Sequence, residues 1–289
     1  MDLYAILYYG TIVFFIYILL KLRRLFNFAS CVTSLENKED PINIALAKKQ
    51  HDDYVNIIRE HVDQVIEVPT DEGHPDCCFV EDNAVVVGDK AIINFLGAES
   101  RRKEVSGVEK ALKEVPAIKD IVHMHEIDPE ATLDGGDVLY TGKHLLIGLS
   151  HRTNQRGADV LSKVFSEKCP VYTVESLLNR DSLHLKCIVS MLDDHTLLIT
   201  DHQAGHDVEQ EINQKTNKHY EFVRVPEQVP SNILSLDGGK FIIYQQGFPA
   251  SEKVILEQLQ QKRGVQVKSL CMSELIKADG ALTCCSILI

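Results

Sequence analysis

Short apolar runs recur along the chain in pairs, each pair joined by a glycine- or aspartate-bearing turn. NAVVVGDKAIIN (Asn83 to Asn94) turns at Gly88-Asp89, and LDGGDVLYTGKHLLIG (Leu133 to Gly148) turns at Thr141-Gly142. The pattern returns in LKCIVSMLDDHTLLIT (Leu185 to Thr200) and in NILSLDGGKFIIYQQG (Asn232 to Gly247). Runs of this kind, rich in β-branched residues and bounded by turn formers, predict antiparallel hairpins. The first hairpin is expected to open with CCFV, bracketed by Asp76, Glu81 and Asp82. Between the hairpins, helical spacing or charged helical composition predicts helices over 41–59, 101–115, 153–167 and 251–263. Leu-Asp-Gly-Gly occurs at Leu133 and again at Leu236, read both times as entering a hairpin, which suggests an internal repeat.

Four hairpin units leave single strands over: VIEVP (Val65 to Pro69), SCVTSL (Ser30 to Leu35) and LTCCSILI (Leu282 to Ile289). Pairing SCVTSL with LTCCSILI would complete a fifth unit and leave no long open edge. The expected fold is therefore an α/β propeller of about five blades over residues 25–289, closed by its own termini. A doubly wound parallel sheet fits less well, because hairpins are antiparallel. Ahead of this lies Leu3 to Leu20, a run without a charge, followed by Lys21, Arg23 and Arg24. As a helix it is long enough to cross a hydrocarbon core of ~30 Å. The run predicts a transmembrane anchor within residues 1–24, with the positive-inside rule placing the remainder in the cytosol. The basic residues follow the apolar run instead of preceding it, so a cleaved signal peptide fits less well.

Composition changes this picture only modestly. Hydrophobic residues make up 45% and charged residues 25%, as in a chain with a substantial core. The net charge of −12 argues against a general nucleic-acid binder and is compatible with cationic ligands. Eight cysteines include two vicinal pairs but no CxxC, and are read as mostly reduced thiols of a cytosol-facing domain. One of Cys284 and Cys285 is then a candidate nucleophile, which needs a base and a group to orient that base. His184 and Asp134, at the openings of two hairpin units, supply those types. Asp76, Glu81 and Asp82 suit a planar guanidinium, which accepts forked carboxylate contacts. Arg101 and Arg152 suit a carboxylate, with Arg102 and Arg156 as alternatives. His123 with His125, and His202 with His206, have metal-like spacing but lack a supporting donor set, so solvated histidines are expected. Neither GxGxxG nor a Walker sequence occurs.

PDCCFVED (Pro75 to Asp82), SRRKEV (Ser100 to Val105), TLDGGDVL (Thr132 to Leu139), TNQRGA (Thr153 to Ala158), LHLK (Leu183 to Lys186) and DGALTCCSILI (Asp279 to Ile289) occur in this order. Together they resemble dimethylarginine dimethylaminohydrolases of the animal type, from about Ala47 onward. The resemblance implies a five-bladed, pentein-like α/β propeller. It also implies hydrolysis of Nω,Nω-dimethyl-L-arginine and Nω-monomethyl-L-arginine to citrulline and an alkylamine, removing inhibitors of nitric oxide synthase. By motif position the nucleophile would be Cys284, the acid/base His184 and the orienting carboxylate Asp134. Asp76, Glu81, Asp82 and Asp279 would face the guanidinium and shape the pocket, and Arg101 and Arg152 would hold the amino-acid carboxylate. No cofactor is implied, and zinc would inhibit by binding Cys284 and His184. Arginine deiminase, and a membrane-tethered protein that binds methylarginines without turnover, are the competing readings.

Overall fold

The computed structural model describes residues 16–21, 28–31, 40–178 and 183–289. Among these residues the strands form five three-stranded sheets with one shared plan. A first strand pairs antiparallel with a second, the chain then passes through a helix, and a third strand returns parallel to the second. In the initial sheet β1 (Ile16–Lys21) is followed by α1 (Ile44–Arg59) and β2 (Gln64–Pro69), parallel to β1. The second has β3 (Ala84–Val87), β4 (Lys90–Ile93), α2 (Val105–Lys113) and β5 (Asp120–His123), with α3 (Met124–Ile127) after it. The third has β6 (Val138–Tyr140), β7 (Leu145–Gly148), α4 (Gln155–Phe165) and β8 (Val171–Val174). The fourth has β9 (Val189–Met191), β10 (Thr196–Thr200), α5 (Gln203–Lys215) and β11 (Glu221–Val225). The fifth has β12 (Leu234–Leu236), β13 (Phe241–Gln245), α6 (Pro249–Ile255), running on into a π-helical turn at Leu256–Gln261, and β14 (Gln266–Leu270). After α7 (Ser273–Ile276), β15 (Ser286–Leu288) pairs antiparallel with β1 and so supplies the initial sheet with its first strand.

The middle strand of each unit explains the apolar runs. In β7, Leu145 and Ile147 pack into one core cluster and Leu146 into the next. In β10, Leu197 and Ile199 face one cluster and Leu198 the following one. In β13, Phe241 and Ile243 are separated in the same way from Ile242 and Tyr244. A strand covered on both faces must be apolar at every position instead of alternating. Each core cluster thus lies between successive sheets, and burial of both faces is what fixes their sequence.

Strand pairing corrects the reading of the leader. Ile16–Lys21 is not the end of a transmembrane helix but the middle strand of a sheet ordered β15-β1-β2. No helix among the described residues is long and apolar enough to cross a membrane, so the expectation of a single-pass anchor and a membrane-bound localisation is overturned. A continuous apolar run is shared by membrane helices and doubly covered strands, and here the strand pairing decides. Leu3 to Phe15 lie outside the described residues.

Other expectations are also revised. The partner of the C-terminal strand is β1, not SCVTSL, of which Ser30 closes a short 3-10 turn (Phe28–Ser30) and Val32 to Leu35 lie outside the described residues. CCFV is not a strand; a 3-10 turn (Val80–Asn83) precedes β3. The two Leu-Asp-Gly-Gly strings are not equivalent. The one at Leu133 leads into β6, whereas Asp237–Gly239 forms the turn inside the β12–β13 hairpin, with Asp237, Gly238 and Gly239 all at positive φ. Helix starts were set by caps: the Asn43 side chain accepts from Leu46 N, and that of Asn154 from Gly157 N.

Candidate active site

Every first strand is preceded by a single 3-10 turn: Val80–Asn83, Gly135–Asp137, Leu185–Cys187, Val229–Ser231 and Thr283–Cys285. These five turns carry or flank the polar residues of the site. Glu81 and Asp82 lie within the first, Asp134 and His184 are the N-cap residues of the second and third, Asn232 follows the fourth, and Cys284 is in the fifth. The chain repeat therefore brings one short polar segment from each sheet to a common place.

A small cavity, with about 20 Å3 of free space, is lined there by Asp76, Asp82, Arg101, Asp134, Arg152, His184, Asp279 and Cys284, with Phe79, Leu183 and Ala278 supplying apolar wall. That space holds roughly one water. Eight of the nine expected site residues thus meet. Glu81 instead lines a neighbouring cavity of about 500 Å3, where it accepts from Lys186 Nζ (2.5 Å) and Thr283 Oγ1 (3.0 Å). Of the two adjacent thiols only Cys284 reaches the smaller cavity; Cys285 is fully buried, its Sγ 3.8 Å from the Ala281 carbonyl.

His184 and Asp134 are both buried, with Nε2 and Oδ2 3.3 Å apart. Asp134 is fixed in turn: its Oδ1 accepts from Gly97 N at 2.9 Å, and its own N–H donates to Thr153 Oγ1 at 3.2 Å. Asp137, not singled out from the sequence, holds the loop that carries His184. It accepts from Leu185 N (2.9 Å), Ser150 Oγ (2.6 Å) and Thr153 Oγ1 (2.6 Å). Glycines are required where these turns touch. A β-carbon on Gly136 would lie 2.5 Å from His184 Nδ1, and one on Gly135 would lie 2.0 Å from the Glu81 carbonyl oxygen.

Electrostatics set the protonation states. Burial pushes the His184 imidazole down, but the carboxylates of Asp82, Asp137 and Asp134 outweigh it and lift its pKa to about 9. It is therefore an imidazolium at neutral pH. Burial, then the charges of Glu81 and Asp82, hold the Cys284 thiol well above its ordinary range. Asp82 resists its burial because His184 and Arg101 keep its carboxyl below the usual value. Burial lifts Asp137 to about 6 and Glu104 to about 7.

The two arginines differ. Arg101 is tied down: Nη1 donates to Asp82 Oδ2 (2.7 Å), Nε and Nη2 to Glu104 Oε2 (3.1 and 3.0 Å), and Nη2 also faces the Phe79 carbonyl (3.3 Å). Arg152 reaches the cavity with a buried Nη1 that has no hydrogen-bond partner among the described residues. Arg102 lies over the Phe95 ring and donates to the Leu96 carbonyl, and Arg156 pairs with Asp128 and Glu130, so neither alternative lines the cavity. Glu104 and Lys186 escaped the sequence reading although both stand inside the motifs SRRKEV and LHLK. Only their ion pairs with Arg101 and Glu81 distinguish them from surface charges. Donor atoms of Asp82, Asp134 and His184 lie within 4.8 Å of one another. All three are already engaged, Asp82 with Arg101 and Asp134 with His184.

The arrangement joins a thiol, a protonated imidazole with its carboxylate, and an acidic wall beside a free guanidinium donor. Comparison with known proteins agrees. The family model for arginine deiminase matches residues 72–230, more than half of the chain. The N(G),N(G)-dimethylarginine dimethylaminohydrolase of Streptomyces coelicolor is 30% identical over 256 residues, covering 89% of this chain and 90% of that one. A Bos taurus protein named DDAH2 is 30% identical over 250 residues, 84% of each chain. A structure of Pseudomonas aeruginosa DDAH, a mutant complexed with citrulline, superposes with a TM-score of 0.77 at 24% identity, covering 95% of this chain and 98% of that one, and so shares the fold. With its five sheets, its converging turns and these relatives, the chain belongs to the dimethylarginine dimethylaminohydrolase family, within the pentein superfamily.

Proposed function

We propose that the chain hydrolyses Nω,Nω-dimethyl-L-arginine and Nω-monomethyl-L-arginine to citrulline and dimethylamine or methylamine. The observation that carries this reading is the cavity in which Cys284 meets an imidazolium, His184, held by Asp134. The five sheets are read as blades of an α/β propeller around one axis, forming the catalytic unit over residues 25–289 with Ile16–Lys21 added to it.

In this reading the cavity walls part to admit substrate, whose guanidinium lies against Asp76, Asp82 and Asp279 and whose α-carboxylate Arg152 receives. Arg101 acts beside it by keeping Asp82 ionised and in place. The incoming cation offsets the carboxylates that hold the Cys284 thiol high, so the thiol releases its proton to solvent as substrate binds, His184 being already protonated. The thiolate attacks the guanidino carbon, and His184 protonates the departing amine, which is a poor leaving group without it. A covalent thiouronium on Cys284 remains. Neutral His184 then takes a proton from water, whose oxygen bonds to the same carbon; collapse breaks the C–S bond and expels Cys284 as a thiolate, the hydroxyl proton passes to that sulfur, and citrulline and the thiol are released. The sequence consumes one water and needs no cofactor. An inhibitory zinc at Cys284 and His184 belongs to the same reading, since both are good ligands for it.

Citrulline release by the purified full chain, supplied in turn with dimethylarginine, monomethylarginine and arginine, tests the proposal. Turnover of the methylated substrates supports it. Turnover of arginine alone would instead assign the activity after which the matching family model is named, and binding without turnover would make the chain a methylarginine-binding protein.

A further inference from the structure

Three histidines far apart in sequence meet at the turn ends of the third and fourth sheets, away from the catalytic turns. His144 closes the β6–β7 turn, His195 closes the β9–β10 turn, and His219 leads into β11 after two residues of positive φ, Asn217 (54°) and Lys218 (56°). The His219 ring centroid lies 5.2 Å from that of His144 and 4.8 Å from that of His195. Two imidazoles on one tetrahedral metal, with metal–nitrogen bonds of ~2.0–2.1 Å, hold their centroids roughly 5 Å apart.

One nitrogen on each of two rings is already fastened. His144 Nδ1 is 2.6 Å from Tyr220 Oη, which is 2.7 Å from Thr141 Oγ1. His219 Nε2 is 3.1 Å from the Asp194 carbonyl oxygen. That leaves His144 Nε2 and His219 Nδ1 for another partner, the arrangement in which an outer hydrogen bond orients a ligating histidine. His195 is 61% exposed and its Nε2 is 3.8 Å from Asp194 Oδ1, so its ring is free to turn. The Asp194 carboxylate supplies a fourth donor; its contact with Lys143 Nζ, at 3.9 Å between exposed groups, is weak competition. The donor atoms do not yet converge, and rotation of the exposed His195 ring and Asp194 carboxylate has to close the set.

We propose that His144, His195, His219 and Asp194 bind a divalent transition metal of the zinc, nickel and copper class, clasping the turns of two neighbouring sheets. Thr141, Gly142 and Asp194 also line the mouth of the larger cavity, so the clasp sits on its rim. Catalytic Asp134 precedes β6 and His144 follows it, which separates the two sites by the length of a strand.

Calorimetric titration of the full chain with nickel ions, in a Cys284→Ser background that removes the catalytic thiol as a competing ligand, tests this at neutral pH. The expected result is one nickel per chain, an affinity weakened about tenfold or more by His219→Gln and by His144→Gln, and no change with His123→Gln. Nickel should also raise the melting temperature of the parent and not that of His219→Gln. Metal-free melting temperatures matching the parent show that the variants are folded. No binding by the parent, or binding unaffected by either substitution in folded protein, would overturn the proposal.

Discussion

The thiol and the imidazole in the cavity are both tuned against their simple reference behaviour, and the consequences are measurable. His184, lifted to about 9 by Asp82, Asp137 and Asp134, is the acid form over the whole neutral range. Turnover that depends on the imidazolium should fall as pH rises through about 9. Asp134→Asn removes one of the lifting charges, so the alkaline limb of a pH–rate profile should move to lower pH while turnover falls by roughly 10²–10⁴. An unmoved limb would mean that another group titrates there. The same shift acts on stability: a histidine whose folded pKa is raised contributes fully below its unfolded value of ~6.5 and loses that contribution as pH rises through about 9. Gly136 offers a steric test of the same pair. Gly136→Ala would place a carbon within 2.5 Å of the His184 ring, so activity should drop at least tenfold, and circular dichroism should show the fold retained. Activity at the parent's level would show that the ring is not held where the structure puts it. At this scale the meeting of Cys284, His184 and Asp134 in one cavity was legible, because each stands in one of the ordered motifs that carry the family resemblance. Asp137 was not, since LDGGD reads as an ordinary turn and only the fold brings Ser150, Thr153 and Leu185 around its carboxylate.

Elements were legible where one face of a segment differs from the other, and misread where it does not. The helix α1 followed from apolar spacing and α4 from its place after a hairpin, although their starts were decided by Asn43 and Asn154. Leu-Asp-Gly-Gly misled because identical strings perform different tasks, a close approach at Gly135–Gly136 and a hairpin turn at Gly238–Gly239. β1 was the largest error: a strand paired on both edges carries the same uninterrupted apolar run as a membrane helix. This reassignment makes its own prediction. Ile18 pairs with Ile287 of β15 and Ile66 of β2, so Ile18→Pro removes a ladder donor from the middle of a sheet. Thermal denaturation should show the whole fold weakened by ~1–3 kcal/mol. A melting temperature equal to the parent's would contradict the pairing, because a separate anchor helix would leave the rest of the molecule unaffected.

Across the whole molecule, the repeat explains why residues 76, 134, 184 and 284 line one cavity. Each sheet contributes the 3-10 turn that precedes its first strand, and the C-terminal strand returns to β1 and so brings Cys284 back to the beginning of the set. The number of units was readable from hairpin periodicity, but their convergence was not, because no local pattern encodes which turns face one another. The histidine cluster at the opposite turns was invisible for the same reason. The central claim is that Cys284, not its neighbour Cys285, carries the reaction, and its most direct test is a paired substitution in the full chain. Dimethylarginine turnover should disappear in Cys284→Ser and persist in Cys285→Ser, and acid-quenched parent should carry the thiouronium adduct on the peptide at Cys284. Turnover surviving in Cys284→Ser, or an adduct mapped to Cys285, would contradict the account.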